Sequence, residues 1–182
     1  MPVDQYRALA RYNAWMNRRL YGLAAGLPDD ERRRDRGAFF RSIHGTLNHL
    51  LLADRVWLAR FTGDRDRYAS RDGAGAVIAI TGLAQELYAG FDDLARERAA
   101  TDADIVVWAD GLDEDRLAAT FRYKTMTGAP SEHPLWWAVG HFFNHQTHHR
   151  GQVTTLLHQA GVDPGVTDLI AFLRDPGIDG PR

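Results

Sequence analysis

The side chains best suited to chemistry in this sequence are histidines, and five of the eight lie between His133 and His149. His141, His145 and His149 are four residues apart, so on a helix they form a single row with one residue per turn. The same row continues in large apolar residues at both ends, namely Trp137, Val153 and Leu157. Because buried imidazoles need hydrogen bonds or a metal ion, the row predicts a polar or metal site inside the fold.

The spacing of His145 and His149 brings two imidazole nitrogens close enough to share one ion, as on the metal-binding helix of many metalloproteases. The glutamate that acts as general base in that motif is missing, because Gln146 follows His145. The pair therefore predicts metal binding without the metalloprotease reaction. A helix with satisfied core or surface histidines is the alternative.

A third ligand is expected from an earlier helix, where His49 shares a face with small or apolar residues: Ser42, Gly45, Ala53 and Val56. Such a face packs closely against a neighbour, and helix bundles build metal sites from facing helices. His44 lies about 140° away around that helix and is expected at its flank or surface. Three neutral nitrogen ligands leave one position open, so the predicted catalytic group is a metal-bound water, which zinc activates to a pKa of about 7.

Other polar residues are candidates for the surroundings of this site. His141 lies one turn beyond the pair and is expected in the pocket or behind a ligand. Asp54 is expected to hydrogen-bond a ligand imidazole or to form a salt bridge with an arginine. Asn13 interrupts the apolar stripe of the first helix, so it is expected near the metal or at a partly exposed position. His148 lies off the row and is not expected to be a ligand.

Apolar periodicity predicts four long helices over residues 3–25, 38–61, 77–100 and 134–159, and a short one over 167–173. The helical period is lost over 101–130, where the alternation around Phe121 and Tyr123 permits a short hairpin. The arginine-rich segment 32–36 is expected to be a solvated loop. The predicted fold class is all-α: a four-helix bundle with a long crossover connection before the last long helix, as a single domain over residues 1–182.

Composition narrows the function. The 22 basic and 24 acidic residues give a formal net charge of -2, which makes nucleic acid a poor candidate for a partner. There are no cysteines, so disulfides and thiolate ligands are excluded. No apolar run reaches the roughly 20 residues of a membrane span, and the first residues lack the features of a signal peptide. A cytoplasmic protein that does not bind membranes is expected.

Four segments of the chain resemble the DinB/YfiT-like family: HFFNHQTHHRGQ, LNHLLLADRVWLARFTG, YNAWMNRRLYGLAAGLPDDE and DLIAFLRD. In that family one histidine of the second helix and an HxxxH pair just before Arg-Gly-Gln hold the metal. The resemblance places these ligands at His49, His145 and His149, and it adds Gln152 as a candidate neighbour of the site.

The resemblance also implies a homodimeric bundle, a divalent metal such as zinc or nickel, and expression linked to DNA damage or stress in some members. Some relatives transfer low-molecular-weight thiols or isomerise thiol adducts, and others are described as metal-dependent hydrolases. The expected function is therefore a metal-dependent thiol transferase or hydrolase acting on a small molecule, with a low-molecular-weight thiol as a candidate cofactor. The alternative is a non-enzymatic, stress-related bundle that binds a metal or small ligand. A DNA-associated damage-response factor is a weaker third interpretation.

Overall fold

The computed structural model of the protein describes residues 3–174. Its elements in chain order are α1 (Val3–Ala25), α2 (Asp29–Arg33), α3 (Ile43–Thr62), α4 (Phe91–Asp110), α5 (Glu114–Ala118), β1 (Thr120–Lys124), β2 (Pro130–Pro134), α6 (Leu135–Gln159) and α7 (Leu169–Arg174). Residues 1–2 and 175–182, which the single-domain prediction includes, lie outside the described part. Among the described helices, none is long and apolar enough to cross a membrane.

The four long helices form the predicted bundle. The main contacts join α1 to α4, α4 to α3, α3 to α6 and α6 to α1, which makes a ring of neighbours. In this ring α1 lies diagonally across from α3, and α4 lies diagonally across from α6. The connection from α4 to α6 must therefore cross the end of the bundle, and the predicted crossover before the last long helix is confirmed. The connection from α1 to α3 is a second crossover.

The ends of the helices follow local sequence signals. Ser42 caps α3, since its hydroxyl accepts a hydrogen bond of 3.0 Å from the Gly45 amide. Gly63 ends the same helix with φ 78°, a left-handed conformation that glycine adopts without strain. Pro134 precedes the first residue of α6. The predicted bounds of α1 and α6 agree with the structure to within one residue, whereas α3 begins five residues later than predicted.

The predicted position of the third long helix is wrong. Residues 77–90 are not helical, and α4 occupies Phe91–Asp110. The end of this segment is held against α3, because the Asn48 side-chain oxygen accepts from the backbone amides of Leu87 and Tyr88 at 2.8 and 3.0 Å. At the other end, the buried stripe of α4 continues through Thr101 and Asp102 to Ile105 and Trp108. Because Thr101 and Asp102 are polar, the spacing of apolar residues did not indicate a helix here.

The hairpin prediction is confirmed. Strands β1 and β2 pair antiparallel, with Phe121 opposite His133 and Tyr123 opposite Ser131. Gly128 in the turn has φ 85°. The hairpin leads directly into α6, so it positions the start of the helix that carries the histidine row.

The arginine-rich segment is not simply a solvated loop. Its first part forms the short helix α2, and Arg32 donates to the Ala24 and Leu27 carbonyl oxygens at the end of α1. Arg36 is mostly buried and forms a salt bridge of 2.6 Å with Glu31. These arginines satisfy backbone carbonyls and a carboxylate where α1 ends, which composition alone did not indicate.

The core has two apolar clusters, one at each end of the bundle. The first contains Met16, Leu20, Leu47, Leu51 and Leu157 among others, and the second contains Ala10, Leu58, Ile105, Val139 and Phe142 among others. Between them lies a layer of buried polar side chains, which we call the charge network: Asn13, Asn17, Asp54, Arg98, Asp102 and Arg150. The histidines lie beside this layer, between α3 and α6.

Candidate metal centre

The structure brings together the three histidines predicted as ligands. One ring nitrogen of each of His49, His145 and His149 lies within 4.8 Å of the others. The Nε2 atoms of His49 and His145 are 3.2 Å apart. Two nitrogens bound to one zinc ion at a tetrahedral angle would be about 3.3 Å apart, since each Zn–N bond is about 2.0–2.1 Å. The residues therefore fit a metal ion, with one pair already at the separation that a shared ion requires.

Hydrogen bonds fix which nitrogen of two of these rings is free. The Nδ1 atom of His49 lies 2.8 Å from the Leu83 carbonyl oxygen, and the Nδ1 atom of His149 lies 2.7 Å from Oε1 of Gln152. Because both oxygens accept, each Nδ1 carries the proton and each Nε2 keeps its lone pair. Such outer partners commonly orient the histidine ligands of metal sites. Gln152, a candidate neighbour of the site, thus lies beside His149.

Burial keeps the three imidazoles neutral near pH 7. Loss of solvent contact lowers the pKa of His49 to about 4, against the opposing effect of its bond to Leu83. Loss of solvent contact and the neighbouring imidazoles lower the pKa of His145 to about 3. Burial also lowers the pKa of His149, although its bond to Gln152 acts in the other direction. Neutral imidazole is the form that binds metals, so the group needs no deprotonation first.

An aromatic wall covers one side of the group. The ring of Phe40 stacks on His49 with centroids 3.8 Å apart and meets His149 edge to face at 5.4 Å. The chain reaches this position because Gly45 lets it approach α3 closely: a Cβ at residue 45 would collide with the Phe40 carbonyl oxygen. Gly45, which the sequence indicated as a close-packing residue, therefore allows the loop that carries Phe40 to reach the site.

Asp54 and Asn13 lie in the charge network. The Asp54 carboxylate accepts a 2.6 Å hydrogen bond from Arg98, so of its two predicted roles the structure has the salt bridge. Asn13 is fully buried, which the sequence did not predict, and it donates to Asp102 at 2.9 Å and accepts from Arg150. It reaches the histidines only through Arg150, the residue after His149.

The remaining histidines near the site differ in exposure. His141 is exposed, and its ring lies 5.7 Å from that of His145 and 5.3 Å from that of Trp57. His148 is exposed and is not part of the three-nitrogen group. The prediction for His44 is wrong, because this residue is fully buried and its Nε2 lies 2.9 Å from the Tyr88 carbonyl oxygen. The segment before α4 covers His44, which the periodicity of α3 left to solvent.

Sequence reasoning missed Phe40 and the Leu83 carbonyl. Both belong to segments outside the four long helices as they are observed. A backbone carbonyl has no signature in the sequence, and Leu83 was expected inside a helix. Phe40 was expected inside the second predicted helix, over 38–61, and was not among its predicted inward-facing residues. Its one available signal is the neighbouring Gly45, which indicates a close backbone approach.

Fold and site together define a helical-bundle protein with a buried three-histidine group that could hold a metal ion. Comparison with known proteins agrees: the chain belongs to the DinB family, which it matches over residues 1–177. It is also similar to Protein DinB of Bacillus subtilis (strain 168), with 22% identity over 178 residues and 91% of each chain covered. No solved structure gives a significant match.

Proposed function

We propose that this DinB-family protein is a metal-dependent enzyme in which His49, His145 and His149 hold one divalent ion and leave a position for substrate. The observation that carries the proposal is the orientation of the imidazoles. Acceptors hold Nδ1 of His49 and His149, so their Nε2 lone pairs are free for an ion. Two facing nitrogens 3.2 Å apart must share either a proton or a cation. Imidazole ligands suit zinc and nickel, and three protein ligands are typical of catalytic zinc sites.

The ligand set favours chemistry with an anionic nucleophile. When bound, a divalent ion supplies Lewis acidity at the open position. Three neutral ligands leave its charge uncompensated, which favours an anionic sulfur or oxygen group and thus supports a thiol transferase or hydrolase. The protein's own contribution is orientation: Leu83 and Gln152 hold two of the rings, and Phe40 shields His49 from water. A low-molecular-weight thiol is the proposed co-substrate for the transferase.

Metal content is the first test, by elemental analysis of untagged protein. We expect close to one zinc or nickel ion per chain in the wild type, and strong loss in His49→Ala and His145→Ala. His148→Ala is the matched control, because this exposed histidine lies on the same helix outside the group. Wild-type protein that takes up neither metal would contradict the proposal.

Activity needs a separate test, because a metal could also serve a binding bundle without catalysis. The ligands come from α3 and α6, so an ion would link these two helices, which supports that second candidate. Addition of a small thiol to the cobalt-loaded protein distinguishes the two. A new sulfur-to-metal absorption band, with turnover of thiol adducts or esters that His49→Ala lacks, supports the enzyme. An unchanged spectrum and no turnover support the binding bundle.

A homodimer is part of the proposal. Large apolar side chains that a single chain leaves exposed support it: Val107 on α4, and Trp136 and Trp137 on α6. Single exposed residues are common, so the support comes from the adjacent tryptophans. Sedimentation equilibrium tests it, with a mass near twice 20.5 kDa expected. A monomer at all concentrations would contradict the dimer and leave the metal site unaffected.

A further inference from the structure

A cavity of about 740 Å³ lies against the face of α3 that also carries His49. The other walls are the segment after α3 and the hairpin. Pockets for small organic ligands commonly measure about 300–1,000 Å³, so the cavity suits a molecule of that class and is too small for a folded partner.

The charged side chains that line the cavity are all of one sign: Arg55, Arg60, Arg65, Arg122 and Lys124. The chain as a whole carries 24 acidic and 22 basic residues, so composition does not explain a lining without carboxylates. Glu97 neutralises Arg55 at 2.5 Å, and Glu132 neutralises Arg122 at 2.7 Å. Within residues 3–174, no ion pair forms to the other three cations.

Among these cations, Arg60 has two aromatic neighbours and no acidic partner within the described residues. Its guanidinium lies 4.7 Å from the ring centroid of Trp57 and 5.1 Å from that of Tyr123. The side chain is half-buried, yet it donates no hydrogen bond to any other described residue. Burial lowers the pKa of Arg60, but a guanidinium remains charged in proteins. The aromatic rings therefore hold a cation with its donors free, which suits a carboxylate or phosphate.

The rest of the wall is apolar. Val56 and Ile78 line the cavity, and Val77, Ile80 and Met126 line it with exposed fractions of 56%, 42% and 49%. A ligand with an apolar body would cover these side chains while its acidic group meets Arg60. An inorganic anion alone would leave this surface exposed to water.

A series of ring contacts runs from the histidines to Arg60, which lines the cavity. The ring of His145 contacts His141 at 5.7 Å, His141 contacts Trp57 at 5.3 Å, and Trp57 carries Arg60. Arg60 follows His49 by eleven residues, about 16 Å along the helix axis. An extended small molecule can span such a distance once the length of the arginine side chain is subtracted.

We propose that this cavity binds the acidic end of a small amphipathic organic acid whose other end reaches the three-histidine group. The inference rests on the proposed function for the identity of that acid as substrate. The cavity's affinity for an organic anion does not depend on the metal, so it can be measured separately.

Fluorescence titration with 8-anilinonaphthalene-1-sulfonate, an amphipathic anion, tests the cavity, and N-phenyl-1-naphthylamine is its neutral counterpart. We expect the sulfonate to bind more tightly than the neutral dye. Arg60→Gln should raise its Kd about tenfold, as for loss of a charge-assisted hydrogen bond, and leave the Kd of the neutral dye unchanged. Lys124→Gln, a change on the exposed hairpin, should act in the same direction more weakly.

Arg19→Gln is the matched control, because Arg19 also lies over a tryptophan, 5.8 Å from the ring of Trp15, but outside the cavity. It should leave both dyes unaffected. Displacement by octanoate and by octyl phosphate then distinguishes a carboxylate ligand from a phosphate ester, with octanol expected to displace neither. Equal affinity for the two dyes, or a sulfonate Kd that Arg60→Gln and Lys124→Gln leave unchanged in folded protein, would overturn the inference.

The same titration on His49→Ala, which should lose the metal, separates this inference from the proposed function. The variant should bind both dyes as the wild type does. Dye binding that persists in wild-type protein unable to take up metal would remove the metal-dependent enzyme and leave the anion site. Normal metal content without selective anion binding would do the opposite.

Discussion

Two buried polar groups both draw side chains from α3 and α6, and they differ in how their polarity is satisfied. The charge network takes Asp54 from α3 and Arg150 from α6, and the histidine group takes His49 and His149 from the same helices. The network contains cations, carboxylates and amides that bond to one another. The histidine group contains imidazoles alone, whose lone pairs compete for the same space.

This difference favours a structural role for the network and, under the proposed function, a binding role for the histidines. Arg98 contacts both Asp54 at 2.6 Å and Asp102 at 2.8 Å, so the charges of the network compensate one another within the protein. Within residues 3–174, the hydrogen-bond partners of the three imidazoles outside the group are two acceptors, the Leu83 carbonyl oxygen and Oε1 of Gln152. Adjacent residues, His149 and Arg150, thus belong to a group that could hold an added ion and to a network whose charges are paired within the protein.

Removal of the central cation should produce the largest effect. Arg98→Met leaves Asp54 and Asp102 buried without their partner, and we expect the free energy of unfolding to fall by roughly 3–5 kcal/mol. Urea denaturation measures it. Arg96→Met, an exposed change on the same helix, should cost less than about 0.5 kcal/mol. Similar losses for the two variants would show that the network contributes no more than a surface pair.

Metal should stabilise the protein through the histidine group and not through the network. Zinc at 100 times its Kd should raise the free energy of unfolding by about 2.7 kcal/mol, because the ion binds the folded form. The measurement is urea denaturation of chelator-treated protein with and without zinc. His49→Ala should lose this increment, and His148→Ala should keep it. Equal stability of the wild-type protein with and without zinc would show that the histidines do not bind the ion and only fill the core.

The three-histidine group was predictable because the spacing of its members is a property of the helix itself. His145 and His149 share a face for any α-helix, and the small residues around His49 identified the partner face. The charge network was not predictable, since a polar residue such as Asn13 has the same appearance in sequence whether it faces water or a buried arginine. The four-helix class, the hairpin and the crossover followed from period and turn residues.

The wrong predictions concern residues whose conformation or burial is determined by tertiary contacts and not by the local spacing of apolar residues. Residues 77–90 have helical spacing of apolar side chains, but the amide groups of Leu87 and Tyr88 bond to Asn48 instead of to their own helix. The same segment buries His44, which helix geometry alone placed at the surface. Segment 77–90 also supplies the Leu83 carbonyl to the site, so one misplaced element accounts for several missed features.

Loss of the outer partner of His149 should weaken metal binding without unfolding the protein. Gln152→Ala removes the acceptor 2.7 Å from Nδ1, and we expect metal affinity to fall about 10–100-fold. Competition with a chromophoric chelator gives the Kd. Gln152→Glu keeps an oxygen acceptor at this position and should retain most of the affinity. If alanine and glutamate behave alike, the hydrogen bond does not orient the ring.

The smallest effect should come from the start of α3, where helix stability and metal chemistry can be separated. Ser42→Ala removes the hydroxyl that accepts from the Gly45 amide, and we expect a loss of about 1 kcal/mol in urea denaturation. Ser42→Thr keeps a hydroxyl and should lose less. Zinc affinity should not change in either variant, because Leu83, not the helix cap, orients His49. A fall in affinity that matches the fall in stability would mean that the position of the histidines depends on the stability of the whole helix. The histidine group and the charge network would then both depend on the packing of the bundle.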